Sequence, residues 1–362
     1  MKKKVVHIIH NLEIGGVETA VLSSLESLNQ SYDFTLVCIG SIKPLVLSKV
    51  SPEIIKNTLE INSISRIINF IYILKKKSPF DIVISSLWKA HLFHFILNFF
   101  VPIKKSVIFL HSGQFAHFFD KLGILLGIKI ASEIWTDSDA TSNFITPYNR
   151  SKKNIVKISF LLSHFLAKSH IFKNKNVTKF IFLGRLSKVK RLDLIIHFIN
   201  ELHKKKLQVT LDIFGPDNSV WDTLKSQIDS LALNTSIKYR GSCSFEETQT
   251  VLSNYDAFVL MSDYEGMSIS TVQAMETGLL CFLRNVGEIA NYGENMVNAV
   301  ILNSLEPDDW SEFIENSVKV LTNESLQKTI LSNSTAKFAN QLTYTQDILQ
   351  NLERLNAPHN RS

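Results

Sequence analysis

The stretch "DAFVLMSDYEGMSISTVQAMETGLLCFLR" (residues 256–284) decides the fold. An apolar run, Ala257–Met261, has the length and residue types of a buried strand. It ends at Ser262, passes an acidic turn at Glu265-Gly266, and enters a helix through Ser268 and Ser270. That helix carries Gln273, Ala274 and Met275, stops at Gly278, and leads into a second apolar run, Leu279–Leu283. Two strands with continuous hydrophobicity, joined through a helix, predict a parallel crossover unit covered on both faces.

The same habit extends outward in both directions. "KKVVHIIH", "DFTLVCIG", "FDIVISS", "SVIFLHS" and "SEIWTDS" read as strands in the first half. "KFIFLGR", "VTLDIFG", "SIKYRGS", "DAFVLMS", "LLCFLRN" and "AVILN" repeat the pattern in the second. Segments with helical spacing separate them, so the expected class is α/β with two doubly wound, Rossmann-like domains. A polar, lysine-rich link near residues 166–178 places one domain at 1–170 and the other at 171–340. Residues 341–362 read as a last helix and tail that pack back toward the first domain.

The 362 residues exceed one ordinary core. With 45% hydrophobic and 20% charged residues, the composition excludes a disordered chain. Cys38, Cys243 and Cys281 lack metal-ligand or disulfide spacing, which fits a reducing compartment. The basic start runs into a short apolar stretch that reads as a strand, not as a signal peptide. No apolar run approaches the roughly 20 residues that span a bilayer. Residues 1–170 hold 20 Lys and Arg against 11 Asp and Glu, whereas residues 171–362 hold 19 against 22. An anionic partner is therefore expected for the first half alone. Nucleic acid is disfavoured, because no Arg-rich or aromatic-interleaved patch occurs. Lysines flank apolar helices in "IINFIYILKKK" (67–77) and "LFHFILNFFVPIKK" (92–105), a pairing suited to an anionic membrane surface, or to buried helices with solvated ends.

Four places at predicted strand ends carry the chemistry. Gly15 and Gly16 open a helix, where backbone N–H groups can approach a ligand or form a tight turn. The spacing is not the dinucleotide fingerprint. Gly184 ends a strand, and Arg185, Lys188, Lys190 and Arg191 follow in one loop, an anion site suited to a diphosphate or else a solvated basic turn. Around Gly266, Met267, Ser268, Ile269 and Ser270, unpaired N–H groups and the helix dipole favour an anion, although serine capping explains the same residues. His111, at the end of a first-half strand, would face the cleft and position a hydroxyl, but eight of the eleven histidines lie in this half and most buried histidines have no such role.

Together these sites resemble the retaining, GT-B-type glycosyltransferases of family 4. The resemblance rests on Gly184-Arg185-Leu186 with Lys190, on Gly215, Tyr239 and Gly241, on Ser262, Glu265 and Gly266, on Gln273-Ala274-Met275 with Gly278, and on Gly287-Glu288-Ile289. It covers nearly the whole chain and is densest from about 179 to 302. It implies two domains facing across a cleft, the first binding acceptor and the second the nucleotide sugar. Arg185 and Lys190 would neutralise the donor diphosphate, Glu265 would contact the donor sugar, and residues 266–270 would cradle phosphate. Gln273 stands where the family usually has a glutamate that binds ribose, so it would act as an uncharged ribose contact. Gly15, Gly16 and His111 match the family's first-domain loop and histidine. The "DSD" at 137–139 reads as a strand end and helix cap.

The resemblance further implies a hexosyl or N-acetylhexosaminyl transferase. It would use a UDP- or GDP-sugar, need no metal or other cofactor, and retain anomeric configuration. A lipid-linked glycan is the expected acceptor, and bacterial surface polysaccharide or lipopolysaccharide the product. The place of work would be the cytoplasmic face of the inner membrane, held peripherally by anionic lipid. Two other readings remain open: a nucleotide-sugar 2-epimerase on the same fold, and a non-catalytic nucleotide-sugar- or glycan-binding subunit suggested by Gln273.

Overall fold

A computed structural model of the protein describes residues 2–12, 16–43, 51–61, 64–167 and 177–357. Gly15, most of the lysine-rich link and the tail beyond residue 357 lie outside the described residues. The chain forms two compact units, one of residues 1–163 with 342–362, the other of residues 164–341.

In the first unit, β1 (Lys4–Ile9), β2 (Asp33–Cys38), β3 (Thr58–Glu60), β4 (Phe80–Ser86), β5 (Ile103–Leu110), β6 (Glu133–Thr136) and β7 (Asn154–Lys157) make one parallel sheet, ordered β3-β2-β1-β4-β5-β6-β7. Among the described residues up to 163 its helices are α1 (Gly16–Ser31), α2 (Pro52–Lys56), α3 (Ile64–Lys77), α4 (Trp88–Leu97), α5 (Phe118–Ile130) and α6 (Asp139–Ile145). The central strands are buried along most of their length, as a sheet covered on both faces requires. Leu74 of α3 and Ala90, Phe93 and Leu97 of α4 share one core with Val6, Ile8 and Val83. After β6 come Asp137 and Ser138, and the Ser138 hydroxyl caps α6 at the Thr141 amide, 3.1 Å away.

In the second unit the strands are β8 (Thr178–Leu183), β9 (Val209–Phe214), β10 (Ile237–Gly241), β11 (Ala257–Leu260), β12 (Leu280–Arg284) and β13 (Val300–Leu302). They are all parallel, in the order β10-β9-β8-β11-β12-β13. Between them run α7 (Leu192–Lys204), α8 (Trp221–Ser230), α9 (Phe245–Ser253), α10 (Ile269–Thr277) and α11 (Ile289–Tyr292), and after β13 come α12 (Pro307–Thr322) and α13 (Glu324–Ala336). Helix α7 buries Leu192, Ile195, Ile196, Ile199 and Leu202, one face at helical spacing. The last helix, α14 (Tyr344–Asn356), starts with a Thr343/Gln346 capping box and packs on α1. Its Arg354 forks onto buried Glu133.

Both sheets are wound outward from a central pair. The order reverses between β1 and β4 in the first unit and between β8 and β11 in the second. Crevices at the carboxyl ends of such pairs are where open α/β sheets hold ligands.

Candidate active site

The second unit brings its sequence motifs together at the carboxyl ends of β8 and β11. After β8, Gly184, Arg185 and Leu186 pass into a short turn, Lys188–Lys190. Gly215 makes this crossing possible: a Cβ there would lie 1.9 Å from the Gly184 carbonyl oxygen, and its φ is +142°. The Tyr239 hydroxyl donates to the Gly215 carbonyl at 2.8 Å, bracing the same crossing.

After β11 the chain turns at Glu265, whose side chain is only 7% exposed. Lys190 Nζ donates to Glu265 Oε1 at 2.6 Å, and the Ser262 hydroxyl donates to the same oxygen at 2.6 Å. The paired cation and hydroxyl make a buried carboxylate tolerable and fix its orientation. Both partners fall on Oε1, so Oε2 is the oxygen placed to accept from a ligand. Arg185 is exposed on the loop that also carries Lys190.

Helix α10 starts at Ile269 behind Ser268, which holds a left-handed backbone, φ 54°. That conformation is uncommon for serine, and strain of this sort collects at functional turns. Ser268 makes no side-chain cap bond to the helix. Its hydroxyl pairs instead with Thr271 Oγ1 at 2.7 Å. Simple serine capping therefore does not account for the "MSIS" entry; the Thr271 amide bonds to the Ser268 carbonyl at 3.0 Å, and the amides ahead of it, at Ile269 and Ser270, keep their capacity for an anion. Residues Thr271 to Thr277 of α10 are all buried, including Gln273.

Several supports come from segments distant along the chain. Gly287, φ +55°, brings its turn against the Glu265 carbonyl, which a Cβ would meet at 1.8 Å. The Tyr292 hydroxyl donates to the Met267 carbonyl at 3.3 Å. Burial first, and the Glu265 charge second, push its ionisation well above the ordinary tyrosine range. Asp263 bridges two arginines, Arg191 at 3.2 Å and Arg284, which also reaches the Ser262 carbonyl. These pairs tie the β11 exit to the neighbouring loops.

Gly16 and His111 belong to the first unit. Gly16 is the exposed first residue of α1. The His111 side chain is 3% exposed, its ring packed on Phe109 and Phe160. Phe109 has a buried ring and Phe160 is also buried, so the imidazole joins an apolar cluster. Its Nδ1 lies 3.8 Å from Asp137 Oδ2, too far for a hydrogen bond, and neither ring nitrogen has a partner. Burial, then the neighbouring His91 and His7, hold its pKa well below 6.5, so the ring is neutral. Among the described residues no group of three or more His, Cys, Asp or Glu side chains forms a metal-ligating cluster.

Two parallel doubly wound units of this kind define the GT-B glycosyltransferase fold. HepE of Anabaena in complex with UDP superposes with a TM-score of 0.80 at 18% identity, covering 97% of this chain and 100% of that one. The lipopolysaccharide outer core galactosyltransferase WaaB, in its apo form, gives 0.72 at 16% identity over 97% and 99% of the two chains. Residues 166–337, nearly the whole of the second unit, match the family described as glycosyl transferases group 1. A capsular polysaccharide biosynthesis glycosyltransferase of Staphylococcus aureus, CapH, is 24% identical over 331 residues, spanning 87% of this chain and 90% of that protein.

Proposed function

We propose that the protein transfers a hexose or N-acetylhexosamine from a nucleotide sugar to a lipid-linked glycan, with retention, during assembly of a bacterial surface polysaccharide. The observation that carries this is the Ser262–Glu265–Lys190 cluster beside the uncapped start of α10, at the switch point of the second sheet. It pairs a carboxylate suited to sugar hydroxyls with a cation and amides suited to a diphosphate. HepE is described in complex with UDP and with UDP-glucose, which favours UDP over GDP as the nucleotide. The names of CapH and WaaB favour a capsule- or lipopolysaccharide-type product.

In this mechanism Arg185, Lys190 and the amides of residues 266–270 hold the diphosphate and stabilise its growing charge. Glu265 Oε2 accepts from donor-sugar hydroxyls, and Gln273 binds ribose. The bond from C1 of the sugar to the phosphate oxygen breaks, its electron pair leaving with the nucleotide. The acceptor oxygen bonds to C1 on the same face and passes its proton to the departing phosphate. No side chain of the cluster is needed as a covalent nucleophile, and no metal takes part. His111, neutral and buried, acts as a hydrogen-bonding group and not as a proton shuttle. Gly15 and Gly16 contribute backbone amides.

The protein works peripherally at the cytoplasmic face of the membrane. No helix among the described residues is long and apolar enough to cross it. The basic end of α3, Lys75 to Lys77, and exposed Phe99 and Phe100 after α4 suit an anionic lipid surface. Incubation with UDP-glucose, UDP-galactose, UDP-N-acetylglucosamine and GDP-mannose, each with a membrane-lipid extract, tests the assignment. Sugar appearing in the lipid fraction supports it. Release of an epimerised nucleotide sugar, or binding without turnover, would overturn it.

A further inference from the structure

The first unit has its own switch point, between β1 and β4, and aromatic side chains gather there. His10 follows β1, Trp88 follows β4, and His117 and Phe119 come from the segment after β5. The Trp88 ring lies 5.9 Å from the His10 ring at 72°, 5.1 Å from His117 at 89°, and 6.4 Å from Phe119 at 26°. Lys89 Nζ stands 5.4 Å from the Trp88 ring centre. Phe118 and Phe119 are 71% and 60% exposed.

The backbone holds this group in place at a cost. Leu87, immediately before Trp88, has φ 73° and ψ 155°, a region almost confined to glycine. Gly123 of α5 lies so close to Trp88 that a Cβ would meet its carbonyl oxygen at 2.7 Å. His117 caps α5, its Nδ1 accepting from the Asp120 amide at 3.1 Å. The ring proton is therefore on Nε2, a donor among the aromatic faces.

From this arrangement we infer that Trp88, with His10, His117 and Phe119, forms a saccharide-binding platform that takes a pyranose ring of the acceptor. It rests on the glycosyltransferase reading above and adds to it a specificity-determining site. A pyranose has an apolar C–H face, which stacks on an aromatic ring, and a hydroxyl edge, which needs donors and acceptors. Indole, two imidazoles and an ammonium within one patch supply both. An acyl or isoprenoid chain would need only the apolar part.

Saturation-transfer NMR on the full chain tests it, with methyl glucopyranoside and methyl N-acetylglucosaminide as probes. Wild type should transfer saturation to the ring C–H protons of at least one probe. Trp88→Ala should weaken that binding about tenfold and Trp88→Phe much less, as loss of a stacking face predicts. UDP binding to the second unit should be equal in all three proteins. Should Trp88→Ala fail to fold, Phe119→Ala, at an exposed position, should weaken the probe severalfold. Equal pyranoside binding by wild type and the variants, or no pyranoside binding to wild type, overturns the platform. So does a Trp88-dependent response to phosphatidylglycerol vesicles alone, which would assign the patch to lipid. Failure of wild type to bind any nucleotide would instead strike the donor site, leaving the pyranoside titration readable.

Discussion

Lys190 Nζ lies 2.6 Å from Glu265 Oε1, joining residues 75 positions apart across the carboxyl ends of β8 and β11. The pair joins the proposed diphosphate site to the proposed sugar site, so each partner affects both stability and chemistry. Lys190→Ala should leave a buried carboxylate with only Ser262 and destabilise the protein by about 1–3 kcal/mol. It should also lower kcat/KM by about 10²–10³. The double variant Lys190→Met/Glu265→Gln should recover most of the stability and none of the activity. Urea denaturation and initial rates on the same preparations separate the two effects.

Gly287→Ala makes a different demand, because its Cβ would be driven into the Glu265 carbonyl at a backbone conformation that favours glycine. A loss of more than about 1 kcal/mol in stability is expected. A fall in UDP affinity should accompany it, since the displaced segment carries Glu265 and Gly266. Calorimetric titration with UDP checks this. Unchanged affinity would dissociate the Glu265 turn from nucleotide binding.

Gln273 lies in the fully buried stretch of α10. Gln273→Glu should lower the melting temperature without ligand, because burying a carboxylate is costly. If the side chain contacts ribose, charge-assisted hydrogen bonds should then make the UDP-induced thermal shift larger than in wild type. Gln273→Ala should weaken all sugars of one nucleotide base alike.

Acid should destabilise the first unit well before ordinary carboxylates titrate. Burial depresses His7, His91 and His94 to about 3, from 6.5 when unfolded. Their ring nitrogens bond to Ser86, Ser85 and Ser106 in the core. The unfolded chain binds the extra protons, so the contribution is fully present above pH 6.5 and is lost as pH falls toward 3. The slope is about 1.4 kcal/mol per pH unit for each histidine. Asp347 of the same unit, raised chiefly by burial, acts in the opposite sense near its own range. Denaturant unfolding at pH 7, 6 and 5 should show falling stability, and a flat profile would contradict it.

At the basic end of α3, Lys75→Glu/Lys76→Glu should weaken binding to phosphatidylglycerol vesicles by tenfold or more, at roughly 1 kcal/mol per lysine removed. Co-sedimentation at two salt concentrations measures this. Equal binding by wild type and variant would refute the contact.

The long buried strands and the order of site motifs were legible, because hydrophobic runs and turn residues are local. The edge strands β3, "TLE", and β7, "NIVK", were not, being three and four residues long with little burial. Asp263 joins Arg191 and Arg284 across 72 and 21 positions, a pairing without local pattern. The position of His111 at a strand end was readable, but the packing of its ring on Phe109 and Phe160 depends on tertiary contacts. Ser268 read as a helix cap, yet its left-handed backbone turns the hydroxyl to Thr271.

The most direct measurement is calorimetric titration of wild type, Arg185→Ala and Glu265→Ala with UDP, UDP-glucose and GDP. Wild type should bind UDP more tightly than GDP. Arg185→Ala should weaken UDP and UDP-glucose alike, whereas Glu265→Ala should weaken UDP-glucose much more than UDP. No nucleotide binding by wild type, or equal affinities in all three proteins, would contradict a donor site at the β8–β11 switch point.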